Sequence, residues 1–240
     1  MRPAVYVLST GTELSTGRSE ATNAPIIARV MAERGFAVAG LGTLPDDYEV
    51  LKNEIRHLLE RPDVQLVIMT GGLGPTADDL TVDVLSELAG KEPVEDSDHF
   101  RKLEVLAKRF RHRLKLEDTR RQVRVAGGSI TLRNERGLAP GMLLDIKNQH
   151  ETKAGAAMPG VPQEMEQMFR DELLPLLDER HPEEPLHRTV FYIYGMGESN
   201  FQAAFFGVQR RRSEPPPKDP LVRAVELPDD FRWGGTAAAG

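Results

Sequence analysis

Short apolar runs alternate with amphipathic stretches along the first two thirds of the chain. Val5-Tyr6-Val7-Leu8, Phe36-Ala37-Val38-Ala39-Gly40-Leu41 and Leu66-Val67-Ile68-Met69 are brief runs without polar alternation. Strands buried on both faces read this way. Between and after them, apolar residues recur at helical spacing: Ile26, Ile27, Val30 and Met31, then Leu51, Ile55, Leu58 and Leu59, then Leu80, Val84, Leu85 and Leu88. Each set makes one stripe of a helix. Gly35 is placed to end the first helix in a left-handed cap, and Pro45-Asp46-Asp47 leads into the second. Strand and helix alternating in this order predict a parallel sheet with right-handed crossovers.

The pattern changes in the middle of the chain. His99 to Leu116 is a charged stretch with Leu103, Leu106, Phe110 and Leu114 at helical spacing, its Arg and Lys residues reading as a solvated face. Ser129 to Leu132 and Met142 to Ile146 predict two short strands, separated by the turn chemistry of Leu138-Ala139-Pro140-Gly141. Met158-Pro159-Gly160-Val161-Pro162 is a second strand-to-helix junction, and its helix carries Met165, Met168, Phe169, Leu173 and Leu176. These elements assign a first domain to residues 1–180. A polar linker from Asp178 to Pro185, the β-branched and aromatic run Thr189 to Tyr194, and a short helix bearing Phe201, Phe205 and Phe206 make residues 181–209 the start of a small, truncated second element. Residues 210–240, with an arginine run, three consecutive prolines and a Gly/Ala-rich end, read as a loosely ordered tail.

The richest chemistry lies in Thr70-Gly71-Gly72-Leu73-Gly74-Pro75-Thr76-Ala77-Asp78-Asp79-Leu80-Thr81, which joins the third strand to its helix. Three glycines let backbone approach a ligand closely. A helix N-terminus behind them favours an anion. Two carboxylates in the same turn would repel a bare phosphate but hold a divalent metal that bridges to one. A purely structural reading also fits, with Thr76 as N-cap and Asp79 completing a capping-box-like pair. The loop is not a Walker loop, since no Gly-Lys-Ser/Thr follows, and its glycine spacing is wrong for a dinucleotide fingerprint.

Composition narrows the function classes. The 240 residues contain no cysteine, which excludes disulfides, thiol nucleophiles and cysteine-ligated zinc. A formal net charge of −6 argues against a general nucleic-acid binder. No apolar run approaches membrane-spanning length, and the start of the chain enters a strand without a signal-peptide pattern, so a cytoplasmic location is expected. The histidines show no metal-ligand spacing; His57 and His112 sit among helical charges. Ser9, Ser15 and Ser19 lack the partners that mark a catalytic serine.

Four segments carry a family resemblance: Gly11-Thr12-Glu13-Leu14 with Gly17 and Asn23; Pro45-Asp46-Asp47; Gly71 to Thr81; and Pro159-Gly160-Val161-Pro162-Gln163-Glu164-Met165. Together they resemble the MoaB/Mog-type domain of molybdenum-cofactor biosynthesis, in the version found at the N-terminus of CinA proteins. Gly137-Leu138-Ala139-Pro140-Gly141 and Tyr194-Gly195-Met196-Gly197-Glu198-Ser199 resemble further family turns. Thr119 stands where the family usually has Asn, before Arg120-Arg121-Gln122. Ala154-Gly155-Ala156-Ala157-Met158 is less apolar than the family's usual strand. The resemblance implies a three-layer α/β/α fold with a mostly parallel sheet and a nucleotide-binding face at the strand C-termini. It further implies either metal-dependent hydrolysis of ADP-ribose to AMP and ribose 5-phosphate, or molybdopterin or nucleotide binding without turnover. Homo-oligomers are common in such families. The family's C-terminal amidase domain has no counterpart in this sequence.

The expected mechanism is metal-assisted attack on a phosphoanhydride. Gly71, Gly72, Leu73, Gly74 and Thr76 would cradle a phosphate, while Asn23, Pro159 and Gly160 shape the nucleotide pocket. Asp46 and Asp79, with Asp78 or Asp47 as near substitutes, would hold Mg²⁺, Mn²⁺ or Co²⁺, and Glu13 would position water. Each has a structural alternative: Asp46 as a helix cap, Glu13 as a solvated loop residue, Glu164 as a first-turn carboxylate favouring the helix dipole. The partner expected is a small-molecule nucleotide or pterin, with no nucleic acid and no membrane.

Overall fold

A computed structural model describes residues 2–109, 116–148 and 151–182. Strand β1 (Arg2–Thr10) leads through the single turn α1 (Thr12–Ser15) into α2 (Asn23–Glu33), followed by β2 (Phe36–Leu44), α3 (Tyr48–Glu60), β3 (Leu66–Thr70) and α4 (Thr81–Ala89). An excursion comes next, comprising β4 (Pro93–Glu95), α5 (Ser97–Arg109), α6 (Leu116–Thr119) and β5 (Arg124–Ala126). The chain then forms β6 (Ile130–Leu132), β7 (Gly141–Lys147), β8 (Thr152–Met158), α7 (Pro162–Met168) and α8 (Leu174–Arg180). The main sheet has six strands in the order β2-β1-β3-β8-β7-β6, and β4 pairs with β5 separately. The first four of these strands are parallel; β7 and β6 are antiparallel additions.

Alternate side chains of each strand face opposite layers, as the strand repeat requires. Val5, Val7, Leu66, Ile68, Ala156 and Met158 pack with Ile27, Val30 and Met31 of α2 and with Met165, Met168, Phe169 and Leu177. Leu8, Val67, Met69, Ala157 and Leu144 pack on the other face with Leu51, Ile55 and Leu58 of α3 and Val84 and Leu85 of α4. The result is the three-layer α/β/α arrangement.

Strand β8 shows why its apolar signal was weak. It is central, between β3 and β7, yet its inner positions are small. A Cβ on Gly155 would lie 3.0 Å from Ile146 Cδ1 and 3.4 Å from Leu85 Cδ2. Large neighbours fill the volume that the strand leaves. The last helix is interrupted by a π turn at Phe169–Leu173 just before Pro175. Proline supplies no N–H and its ring crowds the carbonyl four residues back, so the extra residue relieves both.

The sequence expectations need four corrections. The loop from Ser9 to Thr22 contains α1. The helix after the glycine loop starts at Thr81 with Leu80 as N-cap, so the structural alternative of Thr76 as its N-cap does not hold. The region before Ile130 contributes the small β4–β5 sheet, which the apolar pattern did not mark. Helix α8 continues through Asp178 to Arg180, three residues into the expected linker. Gly35 does end α2 with φ +85°. Among the described residues no helix is long and apolar enough to cross a membrane. The chain divides after Leu186. The expected second element and tail, together with Phe110, His112 and Leu114, lie outside the described residues.

Candidate functional site: a cleft at the ends of the parallel strands

The C-terminal ends of β1, β3 and β8 release three loops, Gly11–Thr22, Gly71–Leu80 and Pro159–Val161. Open parallel sheets bind ligands at this edge. A cavity of about 540 Å³ opens between the loops. Twelve of the residues proposed from sequence line it: Glu13, Asn23, Asp46, Gly71, Gly72, Leu73, Gly74, Thr76, Asp78, Asp79, Pro159 and Gly160. Asp47 does not.

The glycine loop is held by the Gly71 amide and by the Gly71 and Gly72 carbonyls, which leaves the amides of Gly72 to Gly74 free among the described residues. Gly71 donates its N–H to Met158 O at 3.0 Å. Thr81 returns two bonds, its hydroxyl to Gly71 O at 2.9 Å and its N–H to Gly72 O at 3.1 Å. Gly71 has φ +103° and Gly72 has φ +66°. A Cβ on Gly71 would come within 2.5 Å of Thr10 O, and one on Gly72 would strike the Thr81 hydroxyl. Side chains are therefore excluded on conformational and steric grounds at once. The N–H groups of Gly72, Leu73 and Gly74 make no hydrogen bond within the described residues. Successive free amides of this kind form an anion-binding concavity.

The Thr76–Asp79 pair forms, but not as a helix cap. Asp79 Oδ2 accepts from Thr76 N at 2.8 Å and from the Thr76 hydroxyl at 2.6 Å. The helix begins two residues later, with Leu80 as an N-cap lacking any side-chain bond. Gly74 allows the carboxylate to settle, since a Cβ there would lie 2.5 Å from Asp79 Oδ2. Arg121 braces the turn, donating to Asp79 O at 3.1 Å and pairing with Asp83. Asp83 also pairs with Arg124 at 3.2 Å.

On the opposite wall, Asp47 is the residue that caps α3, accepting from Val50 N at 3.0 Å. The structural alternative for Asp46 as a helix cap is thereby excluded. Asp46 Oδ2 instead accepts from Thr12 N at 2.8 Å and Thr12 Oγ1 at 3.2 Å, tying the first loop to the end of β2. Glu13 is exposed, with its carboxylate against the α-carbon of Gly11. Asn23 opens α2 and donates Nδ2 to Gly160 O at 2.8 Å, which joins two of the sequence segments directly.

Six carboxylates line the cavity (Glu13, Glu20, Asp46, Asp78, Asp79 and Glu164), and among the described residues no Lys, Arg or His does. Such a wall disfavours a bare polyanion. Among the described residues no three His, Asp or Glu side chains gather closely enough to cage a metal. Asp46 and Asp79 each commit one oxygen to a threonine and keep the other. That donor set would suit a Mg²⁺-like ion, which takes one or two carboxylates and keeps several waters.

Sequence reasoning missed Thr10, Gln122 and the working position of Glu164, all of which line the cavity. Gln122 is in a 3₁₀ turn (Arg120–Val123) beside Arg121, within the one family element noted chiefly for its departure at Thr119. Glu164 accepts from Asn134 Nδ2 at 2.7 Å. Asn134 is anchored in turn by His99, whose Nε2 accepts the Asn134 main-chain N–H at 3.3 Å and whose Nδ1 lies 2.7 Å from Asp96 Oδ1. Burial pushes the Asp96 carboxyl up. The bonds from the His99 N–H, the His99 ring and Thr131 outweigh that push and hold it below the usual carboxylate range.

Residues 6–179 match the model of a family described as a probable molybdopterin binding domain. A CinA-like protein of Leptospira interrogans is 38% identical over 211 residues, covering 85% of this chain and 49% of that protein. One from Leptospira borgpetersenii is 40% identical over 215 residues, covering 87% and 50% respectively. The chain thus spans about half the length of these relatives. The crystal structure of CinA from Thermoplasma acidophilum, described there as a protein with unknown function, superposes with a TM-score of 0.60 at 26% identity. It covers 73% of this chain and 98% of that one.

Proposed function

This chain belongs to the family of probable molybdopterin binding domains, in its CinA-like form, and from that premise we propose that it binds a phosphorylated nucleotide or pterin in the cleft. The observation that carries this reading is the row of unbonded amides at Gly72, Leu73 and Gly74. A phosphate seated there accepts several N–H bonds at once, from a backbone already fixed by Thr81 and Met158. The acidic wall favours a divalent cation with the ligand. Asp46 and Asp79 would hold it through their uncommitted oxygens.

A second reading adds turnover, and the placement of Asp46 and Asp79 on one cavity favours it. The substrate would be a nucleoside diphosphate sugar, ADP-ribose in particular, cleaved to AMP and ribose 5-phosphate. A cation bound at this pair supplies charge neutralisation at the anhydride oxygens and an acidified water. The chain's own residues orient the diphosphate, through the glycine amides, and Glu13 holds the attacking water. No nucleophilic side chain is required.

The test is AMP release from ADP-ribose with Mg²⁺, Mn²⁺ or Co²⁺, alongside equilibrium binding of ADP-ribose and molybdopterin. Metal-dependent AMP that disappears in Asp79→Asn supports the hydrolase. Binding with no product under any metal leaves the ligand-binding domain alone, and absence of both overturns the two readings together.

A further inference from the structure

Glu164 is held differently from every other carboxylate of the cleft. Asn134, which is 2% exposed, gives one amide hydrogen to Ala139 O at 2.8 Å and the other to Glu164 Oε2 at 2.7 Å. Its Oδ1 accepts from Arg136 N at 3.1 Å and Gly137 N at 2.6 Å, and its carbonyl accepts from Lys102 Nζ at 2.7 Å. With its main-chain N–H on His99, the residue has each polar group engaged. A fully satisfied buried amide is a rigid mount. It fixes Glu164 Oε2 and leaves Oε1 without a partner among the described residues, in a residue that lines the cavity.

A second acceptor stands at the same turn. Asn23 donates Nδ2 to Gly160 O, and only the NH₂ end can donate to a carbonyl, so the amide orientation is settled. Asn23 Oδ1 is then buried with no partner, in a side chain 6% exposed. Glu164 donates its own N–H to Val161 O at 3.1 Å. Both residues therefore flank the turn Pro159–Val161, and a Cβ built on its Gly160 would lie 3.4 Å from Gly71 Cα of the phosphate loop. Leaving a buried acceptor unpaired is unfavourable, and an anion cannot relieve it. The relief must come from an O–H or N–H donor.

We propose that Glu164 and Asn23 form a subsite for the hydroxyl-bearing part of the ligand, the vicinal diol of a nucleotide's ribose, with Asn134 as the positioning residue for Glu164. Two acceptors beside one turn match two adjacent hydroxyls, and a carboxylate is a strong acceptor for them. The subsite rests on the nucleotide reading above and gives it a direction: phosphate on the Gly72–Gly74 amides, sugar toward the Pro159–Val161 turn.

The test measures binding of AMP, 2′,3′-dideoxy-AMP and inorganic pyrophosphate to the full chain in Mg²⁺, for wild type and Glu164→Gln. Glutamine keeps an acceptor for Asn134 and places an NH₂ where Oε1 was, so the fold is preserved and the subsite is inverted. A melting temperature unchanged from wild type checks this. Wild type is expected to bind AMP about tenfold more tightly than its dideoxy analogue. In Glu164→Gln that ratio falls severalfold, Asn23 holding what is left of it, while pyrophosphate affinity stays as in wild type. Equal affinity of wild type for AMP and dideoxy-AMP overturns the subsite while leaving phosphate binding intact. A parallel loss of pyrophosphate affinity in Glu164→Gln overturns it in favour of a role at the cation or in the fold. If wild type binds none of the three, the nucleotide reading itself fails.

Discussion

Two turns line the same cleft and treat their polar groups in opposite ways. The turn after β3 has its carbonyls tied back by Thr81 while three successive amides, Gly72 to Gly74, go unpaired. In the turn around Asn134 the side-chain amide, the main-chain N–H and the carbonyl are all engaged, by residues as far apart in sequence as His99, Lys102 and Glu164. Unsatisfied donors are a standing disadvantage unless something outside the chain completes them. A saturated turn has no such need and gives rigidity instead. On the proposed reading the first turn would meet a ligand through its backbone, and the second would be the frame that aims a side chain.

Substitutions separate the two roles. The largest effect is expected from Asn134→Ala. It strips partners from Glu164 and from the Arg136 and Gly137 amides, and should destabilise the fold by about 3 kcal/mol or more in urea unfolding. Next is Asp79→Asn, which retains an acceptor for Thr76. The hydrolase reading expects metal-dependent AMP release to fall about a hundredfold, with the unfolding free energy within about 1 kcal/mol of wild type. Gly72→Ala follows: its φ of +66° and the Thr81 hydroxyl both oppose a Cβ. Pyrophosphate affinity should drop about tenfold, with a stability loss of about 1 kcal/mol. If Gly72→Ala harmed stability alone and left affinity untouched, the contrast between the turns would collapse.

The smallest effect concerns pH. Asp96 has a folded-state pKa held below its ordinary value, so its contribution to stability is present above the unfolded pKa of about 3.9 and is lost as pH falls through the depressed value. Comparing wild type with Asp96→Asn by urea unfolding should give a stability gap at neutral pH that closes below about pH 4. A gap persisting unchanged into strong acid would remove the Asp96–His99 pair from the account of how Asn134 is anchored.

The same contrast explains what the sequence revealed. The first turn was legible because close backbone approach demands glycine, and Gly71-Gly72-Leu73-Gly74 between an apolar strand and an amphipathic helix is a local pattern. The Asn134 turn was not, because a lone asparagine has no periodicity and its partners lie up to 35 positions away. Asp46 was legible in place but not in bonding: Thr12, 34 residues earlier, takes one of its oxygens. The Thr76–Asp79 spacing matched a capping box, yet Asp79 accepts both Thr76 donors and delays the helix to Thr81. Strand β8 escaped the apolar rule because Ile146, Leu144 and Leu85 fill the space over Gly155.

The most direct measurement is the backbone amide spectrum of the full ¹⁵N-labelled chain, titrated with ADP-ribose in Mg²⁺. The account expects the amides of Gly72, Leu73 and Gly74 to shift most and those of Arg136 and Gly137, already bonded to Asn134, to shift little. Saturable binding with the three glycine-loop amides unmoved would contradict it.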